Sequence, residues 1–195
     1  MPGATYDELG KGYAVQRRAD ARIASVIWSA LGDVRSVVNV GAGTGSYEPA
    51  DRIVLAIEPS DTMIRQRPEG AAPCIRGSAE ALPLDSGAYD AAMALLTIHH
   101  WSDWRAGLRE MRRVARRRIV LLTFDAEHSD FWLTRDYFPA LNELDRRIMP
   151  PLGELANELG EFHVTPVLVP HHCTDGFLGA YWRWPQIFLE SLARC

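Results

Sequence analysis

Short, continuously apolar runs recur along this chain and constrain its fold more than any other feature. The runs lie at 36–41, 53–58, 73–76, 89–96 and 118–124. Strands that are covered on both faces have unbroken apolar runs, whereas a strand with one face in water alternates polar and apolar residues. Helix-like segments separate these runs, and strands that alternate with helices form parallel sheets. We therefore predict an α/β fold with a mainly parallel sheet.

The segments between and around the predicted strands carry helix signals. Residues 7–31 have apolar residues at helical spacing and stop at Gly32. Residues 102–116 form the clearest predicted helix, with Ser102 as its cap. The remaining predictions are a helix that starts at Ser60, a helix over 151–159 that stops at Gly160, an edge strand over 162–170, and a helix over 177–192 that is broken by Pro185.

Length, charge and cysteine content narrow the class of protein. The chain has 195 residues, a net charge of −4 and a pI of about 5.9, which fits a single domain over 1–195. The acidic balance argues against general attraction to nucleic acid or to anionic membranes. Three widely spaced cysteines without a Cys-x-x-Cys pair indicate neither a disulfide framework nor a zinc site. Because no stretch reads as a signal peptide or a membrane span, we expect a cytoplasmic protein, and its oligomeric state stays open, a homodimer included.

A glycine cluster follows the first predicted strand. It reads VGAGTG over 40–45, and glycines without Cβ atoms let a ligand lie directly against the main chain. The second predicted strand ends in Glu58, seventeen residues after Gly41. An acid at that strand tip is placed to accept hydrogen bonds from the hydroxyl groups of a ribose. Both features lie at the carboxyl edge of the sheet, where open α/β folds bind their ligands.

Two cofactor classes use this layout. A dinucleotide requires the spacing G-x-G-x-x-G, because its pyrophosphate lies at the N-terminus of the following helix. This chain has G-x-G-x-G, and only 46–51 separate Gly45 from Arg52 and the next strand. A crossover connection usually needs about a dozen residues, so we predict a short first crossover without a helix. S-adenosylmethionine carries no phosphate and needs no such helix, so the spacing favours it.

Three stretches, taken in order, resemble the successive motifs of one family. They are VVNVGAGTGSYEP, AIEPS and GSAEALPLDSGAYDAAMALLTIHHW. These are similar to the motifs of class I S-adenosylmethionine-dependent methyltransferases, and most of all to the small-molecule branch that includes the quinone-biosynthesis C-methyltransferases. The resemblance covers residues 36 to about 124. It implies a Rossmann-like doubly wound sheet, S-adenosylmethionine as the cofactor, and chemistry that needs no metal.

The resemblance also implies roles for residues at matching positions. The backbone of Gly41, Ala42 and Gly43 would contact the methionine part of the cofactor, and Glu58 would hold its ribose. Pro59 and Met63 would pack on the adenine, whose amino edge would be read by Ser78, Ala79 and Glu80. Leu96, Thr97 and His100 would lie beside the transferable methyl group. Tyr13 and Arg18 would close over the methionine end from an N-terminal helical cap over 1–32, and 125–150 and 171–195 would border the substrate opening.

Two departures from the family pattern stand out. Asn39 occupies a position where the family usually has Asp or Glu, so it can accept a hydrogen bond but has no charge for the ammonium group of the cofactor. The family sheet commonly ends in an antiparallel hairpin, but after 162–170 the sequence offers no second strand. Either the last strand is absent, or the chain is truncated, or 177–192 has an unusual role.

Several clusters have a functional and a structural interpretation. His99 and His100 directly follow the fourth predicted strand, and either could act as a general base or orienting group, or could cap the strand and pack in the core.

Adjacent ligands such as His171 and His172 do not readily converge on one ion, so we predict no metal site. The arginines within 109–118 are expected to form a solvated face. The aromatic residues of 125–150 and 177–192 indicate an apolar or aromatic substrate, although a core or an oligomer interface explains them equally well.

Three hypotheses about function follow. The first is methylation of a small metabolite, with a role in specialised metabolism. The second is a cofactor-binding partner or structural protein of the same fold that does not methylate, which Asn39, the short crossover and the missing strand suggest. The third is a nicotinamide dehydrogenase, against which the glycine spacing argues.

Overall fold

A five-stranded parallel sheet forms the centre of the molecule. The computed structural model describes residues 18–184 and 186–187. The strands are β1 (Ser36–Val40), β2 (Ile53–Glu58), β3 (Cys74–Arg76), β4 (Tyr89–Leu95) and β5 (Ala115–Leu122). Their order is β3-β2-β1-β4-β5, and every neighbouring pair is parallel. The chain changes winding direction between β1 and β4, so the predicted Rossmann-like doubly wound sheet is confirmed.

Helices cover both faces of this sheet. The described α-helices are α1 (Ala21–Leu31), α2 (Asp61–Arg65), α3 (Trp104–Val114), α4 (Pro139–Ile148) and α5 (Leu152–Leu159), of which α1 packs on one face of the sheet and α3 on the other. Leu31 of α1 belongs to a buried cluster with Val37 and Met93 on one face of the sheet. Leu108 of α3 and Leu155 of α5 belong to the cluster on the other face. The core is therefore split into two layers by strands that are buried on both sides, as their continuous apolar runs predict.

The first crossover has the form that its length predicts. Residues 41–52, between β1 and β2, contain no helix. Ser60 caps α2 by accepting a hydrogen bond from the Met63 backbone N–H, and Gly160 ends α5 with a φ of +80°. These predicted boundaries agree with the structure because each depends on local capping chemistry.

The N-terminal helix is shorter than predicted within the described residues. The prediction was 7–31, of which 7–17 lie outside the described part of the chain, whereas α1 begins at Ala21. Asp20 caps it, because its side chain accepts a hydrogen bond from the Arg22 backbone N–H at 3.0 Å.

The predicted helix over 102–116 was too long at both ends. Asp103 rather than Ser102 caps α3, and its carboxylate accepts the Ala106 N–H at 2.9 Å. β5 follows α3 without a loop and begins at Ala115, three residues before the predicted start. The exposed arginines at 116–118 obscure the strand in the sequence, because an edge strand tolerates charged side chains that point into water.

The predicted strand over 162–170 and helix over 177–192 were wrong for the described residues. Residues 162–170 pair with no strand, and Pro166 and Pro170 lack the N–H donors that a ladder needs. Of 177–192, Leu178–Tyr181 forms one 3₁₀ turn and 186–187 also have 3₁₀ geometry, while Pro185 and 188–192 lie outside the described residues. Within 18–184 and 186–187 no strand follows β5. The assignment of 1–32, 125–150 and 171–195 to a cap and a substrate side stays a prediction.

Candidate functional site

A pocket opens where β1, β2 and β4 end. Parallel strands bring all their carboxyl ends to one edge, so residues from distant parts of the sequence meet there. The lining residues that the sequence had singled out are Gly41, Ala42, Gly43, Glu58, Pro59, Met63, Ser78, Ala79, Glu80, Leu96, Thr97 and His100. The structure therefore brings together all but three of the predicted site residues: His99 and Arg18 do not line the pocket, and Tyr13 lies outside the described residues.

The glycine loop after β1 requires glycine for two reasons. Gly41, Gly43 and Gly45 have φ values of +68°, +53° and +92°, in the left-handed region that side chains disfavour. A Cβ atom at Gly41 would also lie 2.3 Å from Oγ1 of Thr97. The backbone of this loop is therefore exposed along the pocket wall, where a ligand can contact it directly.

Glu58 holds its carboxylate against this loop. The residue is 6% exposed, its Oε2 accepts the Gly43 N–H at 2.8 Å, and its Oε1 accepts the Ser60 N–H at 3.0 Å. Burial raises the pKa of Glu58 above its ordinary value, although both N–H donors favour the ionised form. Each carboxylate oxygen has further acceptor capacity, so the side chain can accept hydrogen bonds from ligand hydroxyl groups.

Asn39 supplies a second acceptor in the pocket wall. The residue is 2% exposed, and its Nδ2 donates to Oε1 of Glu48 at 3.0 Å, which fixes the orientation of the amide. In the described part of the chain, Oδ1 of Asn39 is buried without a hydrogen-bond partner. Buried acceptors are rarely left unpaired, so this atom fits a ligand that brings an N–H donor, such as an ammonium group.

The far end of the pocket is built from the turns after β3 and β4. Oε1 of Glu80 accepts hydrogen bonds from both the backbone N–H and the hydroxyl of Ser102 at 2.8 Å. Trp101 lines the same wall, and a Cβ atom at Gly107 would lie 2.4 Å from its ring. Glu80 therefore links the turn after β3 to the residues before α3, and the Trp101 ring forms part of this pocket wall.

The two histidines after β4 have different surroundings. His100 lines the pocket, and desolvation lowers the pKa of its imidazole below the ordinary 6.5. His99 does not line the pocket; its ring lies 3.8 Å from the His100 ring and 6.2 Å from Phe124, measured between centroids. Burial, and next the neighbouring His100, lower the pKa of His99 to about 3. Of these two histidines, His100 is therefore the one that faces the pocket.

Some lining residues were missed as site residues by the sequence analysis. They are Thr44, Ser46, Tyr47, Ser60, Leu95, Trp101 and Ser102, while Asn39 is noted in the sequence only as a departure from the family pattern. All but Ser102 lie inside the three motif stretches, and Ser102 directly follows the third, so position in a motif was the available signal. Of the predicted cofactor residues, Arg18 is exposed away from the pocket.

A Rossmann-like sheet with a pocket at its switch point is typical of α/β proteins that bind a nucleotide or a related cofactor, and comparison with known proteins narrows this class. A family described as a methyltransferase domain matches residues 38–123. A structure from Anabaena variabilis, described as a candidate methyltransferase from an antibiotic biosynthesis pathway, is 36% identical, with a TM-score of 0.82, and the match covers 92% of this chain and 77% of that one. The chain therefore belongs to the class I S-adenosylmethionine-dependent methyltransferases, whose cofactor is S-adenosylmethionine.

Two further relatives match less of this chain or match it at lower sequence identity. A methyltransferase structure from Thermotoga maritima is 22% identical with a TM-score of 0.63, covers 82% of this chain and 79% of that one, and shows the fold alone. The rice 2-methyl-6-phytyl-1,4-hydroquinone methyltransferase 2 of Oryza sativa subsp. japonica is 30% identical over 111 residues, which are 51% of this chain. The match spans 31% of that relative, less than a third of its length.

The described residues offer neither a membrane-spanning helix nor a cluster of metal ligands. Among 18–184 and 186–187, no helix has the length and apolar character to cross a membrane. The same residues contain no group of three His, Cys, Asp or Glu side chains arranged to hold a metal ion. Nδ1 of His171 lies 2.9 Å from Nε2 of His172, so these two rings interact with each other.

Proposed function

We propose that this chain transfers the methyl group of S-adenosylmethionine to a small, apolar or aromatic metabolite. The observation that carries the proposal is the meeting of Glu58, a bare glycine loop and His100 in one pocket. The carboxylate and the loop suit a ribose and an amino-acid chain, and the histidine adds a base at the end of β4.

Different side chains of the pocket would bind different parts of the cofactor. Glu58 would accept hydrogen bonds from the ribose, and Oδ1 of Asn39 would accept one from the ammonium group. When bound, the cofactor would supply a methyl carbon on a positively charged sulfur that a substrate nucleophile could attack, with S-adenosylhomocysteine as the leaving group. His100 would accept the proton that the substrate nucleophile loses, since its lowered pKa keeps the imidazole neutral at pH 7. Most of the rate would come from orienting the two reactants and excluding water.

An apolar or aromatic substrate is supported by the residues near His100. Leu95, Leu96 and Trp101 line the pocket there. Phe124 follows β5 at the same sheet edge, is 40% exposed and faces His99. The rice relative acts, by its name, on a hydroquinone with a long apolar tail, and the Anabaena relative is assigned to an antibiotic pathway. The first name is consistent with an aromatic acceptor, and the second with a role in specialised metabolism.

The proposal includes no nucleic-acid partner. The arginines of β5 lie at the start of that strand, whereas the pocket lies at the strand ends. Arg116 pairs with Asp90 at 2.8 Å and Arg117 with Asp33 at 2.8 Å, so their charges are already neutralised in part. A cytoplasmic location remains a prediction that cell fractionation will test. A homodimer remains a prediction that the oligomeric state in solution will test.

Calorimetric titration with S-adenosylmethionine and S-adenosylhomocysteine tests the proposal. We expect both to bind, and Glu58→Gln to weaken binding about tenfold, because a charged acceptor is lost. Glu161→Gln is the matched control, since Glu161 is exposed and outside the pocket. Turnover is then measured on a panel of phenols and hydroquinones. Absence of cofactor binding would overturn the proposal, and binding without turnover on any acceptor would favour the non-methylating alternative.

A further inference from the structure

Tyr47 occupies an unusual position at the end of the glycine loop. It is a non-glycine residue with a φ of +67°, in the left-handed backbone region, and it is 4% exposed. Such a conformation is strained for a side chain with a Cβ atom and persists only where surrounding contacts determine it. Tyr47 also lines the cofactor pocket, so the contacts that hold it bear directly on the shape of the site.

Three hydrogen bonds hold Tyr47 in place. Its hydroxyl donates to Oδ2 of Asp175 at 2.7 Å and accepts the Asp20 backbone N–H at 3.4 Å. Its carbonyl accepts the indole N–H of Trp28 at 2.9 Å. The ring belongs to a buried cluster with Ile23, Ala24 and Ile27 of α1, against which Phe177 packs. One side chain therefore joins the glycine loop to α1 and to a segment near the C-terminus, 128 residues away in sequence.

The segment that receives Tyr47 is anchored to α1 as well. Asp175 is fully buried, and the neighbouring Thr174 N–H donates to Oδ2 of Asp20 at 3.1 Å. Asp20 is 1% exposed, and its hydrogen bonds with Arg22 hold the pKa of the carboxyl well below its usual range. Two buried carboxylates thus hold residues 173–177: Asp20 binds the Thr174 N–H directly, and Asp175 binds the hydroxyl of Tyr47.

We propose that Tyr47 is a positioning residue that couples the occupancy of the cofactor pocket to the docking of residues 173–181. The inference rests on the proposed function, because it takes the pocket as the cofactor site. The strained backbone at Tyr47 is maintained by contacts with α1 and, through Asp175 and Phe177, by contacts that exist only while 173–177 is docked. A cofactor that binds the glycine loop in this conformation therefore stabilises the docked segment, and by linkage the docked segment strengthens cofactor binding.

Hydrogen exchange measured with and without S-adenosylhomocysteine tests the coupling. In the wild type, we expect the ligand to slow exchange in 41–48 and also in 173–181. Tyr47→Phe and Asp175→Leu each remove the hydroxyl–carboxylate bond, so the ligand should still protect 41–48 but no longer 173–181. Affinity should fall about tenfold in Asp175→Leu, as expected for one lost buried hydrogen bond, and at least as much in Tyr47→Phe, which also removes the acceptor of the Asp20 N–H.

Two further variants separate coupling from general damage. Asp175→Asn keeps an acceptor oxygen for Tyr47 and should retain most of the wild-type protection of 173–181. Tyr89→Phe alters a partly buried tyrosine at the start of β4, at the opposite end of the sheet from the pocket, and should match the wild type. The combined Tyr47→Phe and Asp175→Leu variant should bind no more weakly than Tyr47→Phe alone, since the bond to Asp175 is already absent in that single variant.

The outcomes distinguish this inference from the proposed function. If the wild type binds S-adenosylhomocysteine but 173–181 gains no protection, the coupling is refuted while the proposed function stands; this result needs no folded variant. Equal protection of 173–181 in the wild type, Tyr47→Phe and Asp175→Leu would also refute it. Failure of the wild type to bind the ligand at all would remove both proposals.

Discussion

Arg67 and Glu48 form a buried ion pair against the glycine loop. Nη2 of Arg67 lies 2.9 Å and 2.7 Å from the two carboxylate oxygens, and the side chains are 6% and 8% exposed. Nη1 of Arg67 also donates to the Gly43 carbonyl at 3.3 Å, while Glu48 orients the amide of Asn39. The pair therefore fixes both the loop and the acceptor that faces the pocket.

Removal of Arg67 should destabilise the protein strongly. Arg67→Met leaves the buried Glu48 carboxylate without its counter-charge, and we expect the free energy of unfolding in urea to fall by about 3–5 kcal/mol. Arg76→Met is the matched control, because Arg76 pairs with Asp61 at 3.1 Å but the two side chains are 70% and 50% exposed. That exposed pair should be worth less than about 1 kcal/mol. A double Arg67→Met, Glu48→Met variant should recover part of the loss, and equal effects of Arg67→Met and Arg76→Met would contradict this account.

Substitution of Gly41 should damage the site more than substitution of another left-handed glycine. Gly41→Ala adds a Cβ atom that would lie 2.3 Å from Thr97, whereas Gly70, with a φ of +82°, has no atom within 4 Å of the added Cβ. Gly70→Ala should lose about 1–2 kcal/mol of stability from backbone strain alone. Gly41→Ala should lose a further 1–3 kcal/mol or so and should bind S-adenosylhomocysteine much more weakly.

A second substitution checks the cause of that difference. Thr97→Ala removes the two nearest atoms and leaves the Thr97 Cβ position 3.1 Å from the new methyl group. We expect it to restore part of the stability of Gly41→Ala in thermal unfolding. If Thr97→Ala gave no recovery, steric conflict with Thr97 would not be the reason that glycine is needed.

Substitution of His100 should affect chemistry more than binding. If His100 accepts the substrate proton, His100→Asn should lower kcat by about 10²-fold while the affinity for S-adenosylhomocysteine changes far less. Because desolvation lowers its pKa, the neutral base persists below pH 6.5, so wild-type kcat should decline only at more acidic pH. The measurement is kcat against pH with a hydroquinone acceptor. An unchanged kcat in His100→Asn would assign His100 to packing instead.

His99 should make the protein less stable in acid. Its pKa is about 3 in the folded chain against an ordinary value of 6.5, so between these values the unfolded state binds a proton that the folded state excludes. The free energy of unfolding must therefore fall as pH falls from 6.5 toward 3. His99→Phe removes this contribution, and the fall should become shallower by up to about 1.4 kcal/mol per pH unit. Denaturant titrations of both proteins across this range give the slopes, and identical slopes would show that His99 titrates normally.

Local chemistry made some elements predictable and hid others. β2 was predicted over 53–58 and observed as Ile53–Glu58, because a strand covered on both faces is a continuous apolar run. The start of β5 was not predictable in the same way, since exposed arginines at an edge strand resemble the polar face of the preceding helix. The 162–170 run looked like a strand because its apolar content says nothing about whether a neighbouring strand is available for pairing.

The same division holds for the pocket. Glycines after β1, an acid at the tip of β2 and histidines after β4 are determined by sequence, because parallel strands always bring these positions to one edge. Only the tertiary structure decided that His100 rather than His99 faces the pocket, that Arg67 neutralises Glu48, and that Tyr47 meets Asp175. Strand pattern and spacing act over a few residues and can be read from the chain, whereas burial and the pairing of distant charges depend on how the whole chain packs.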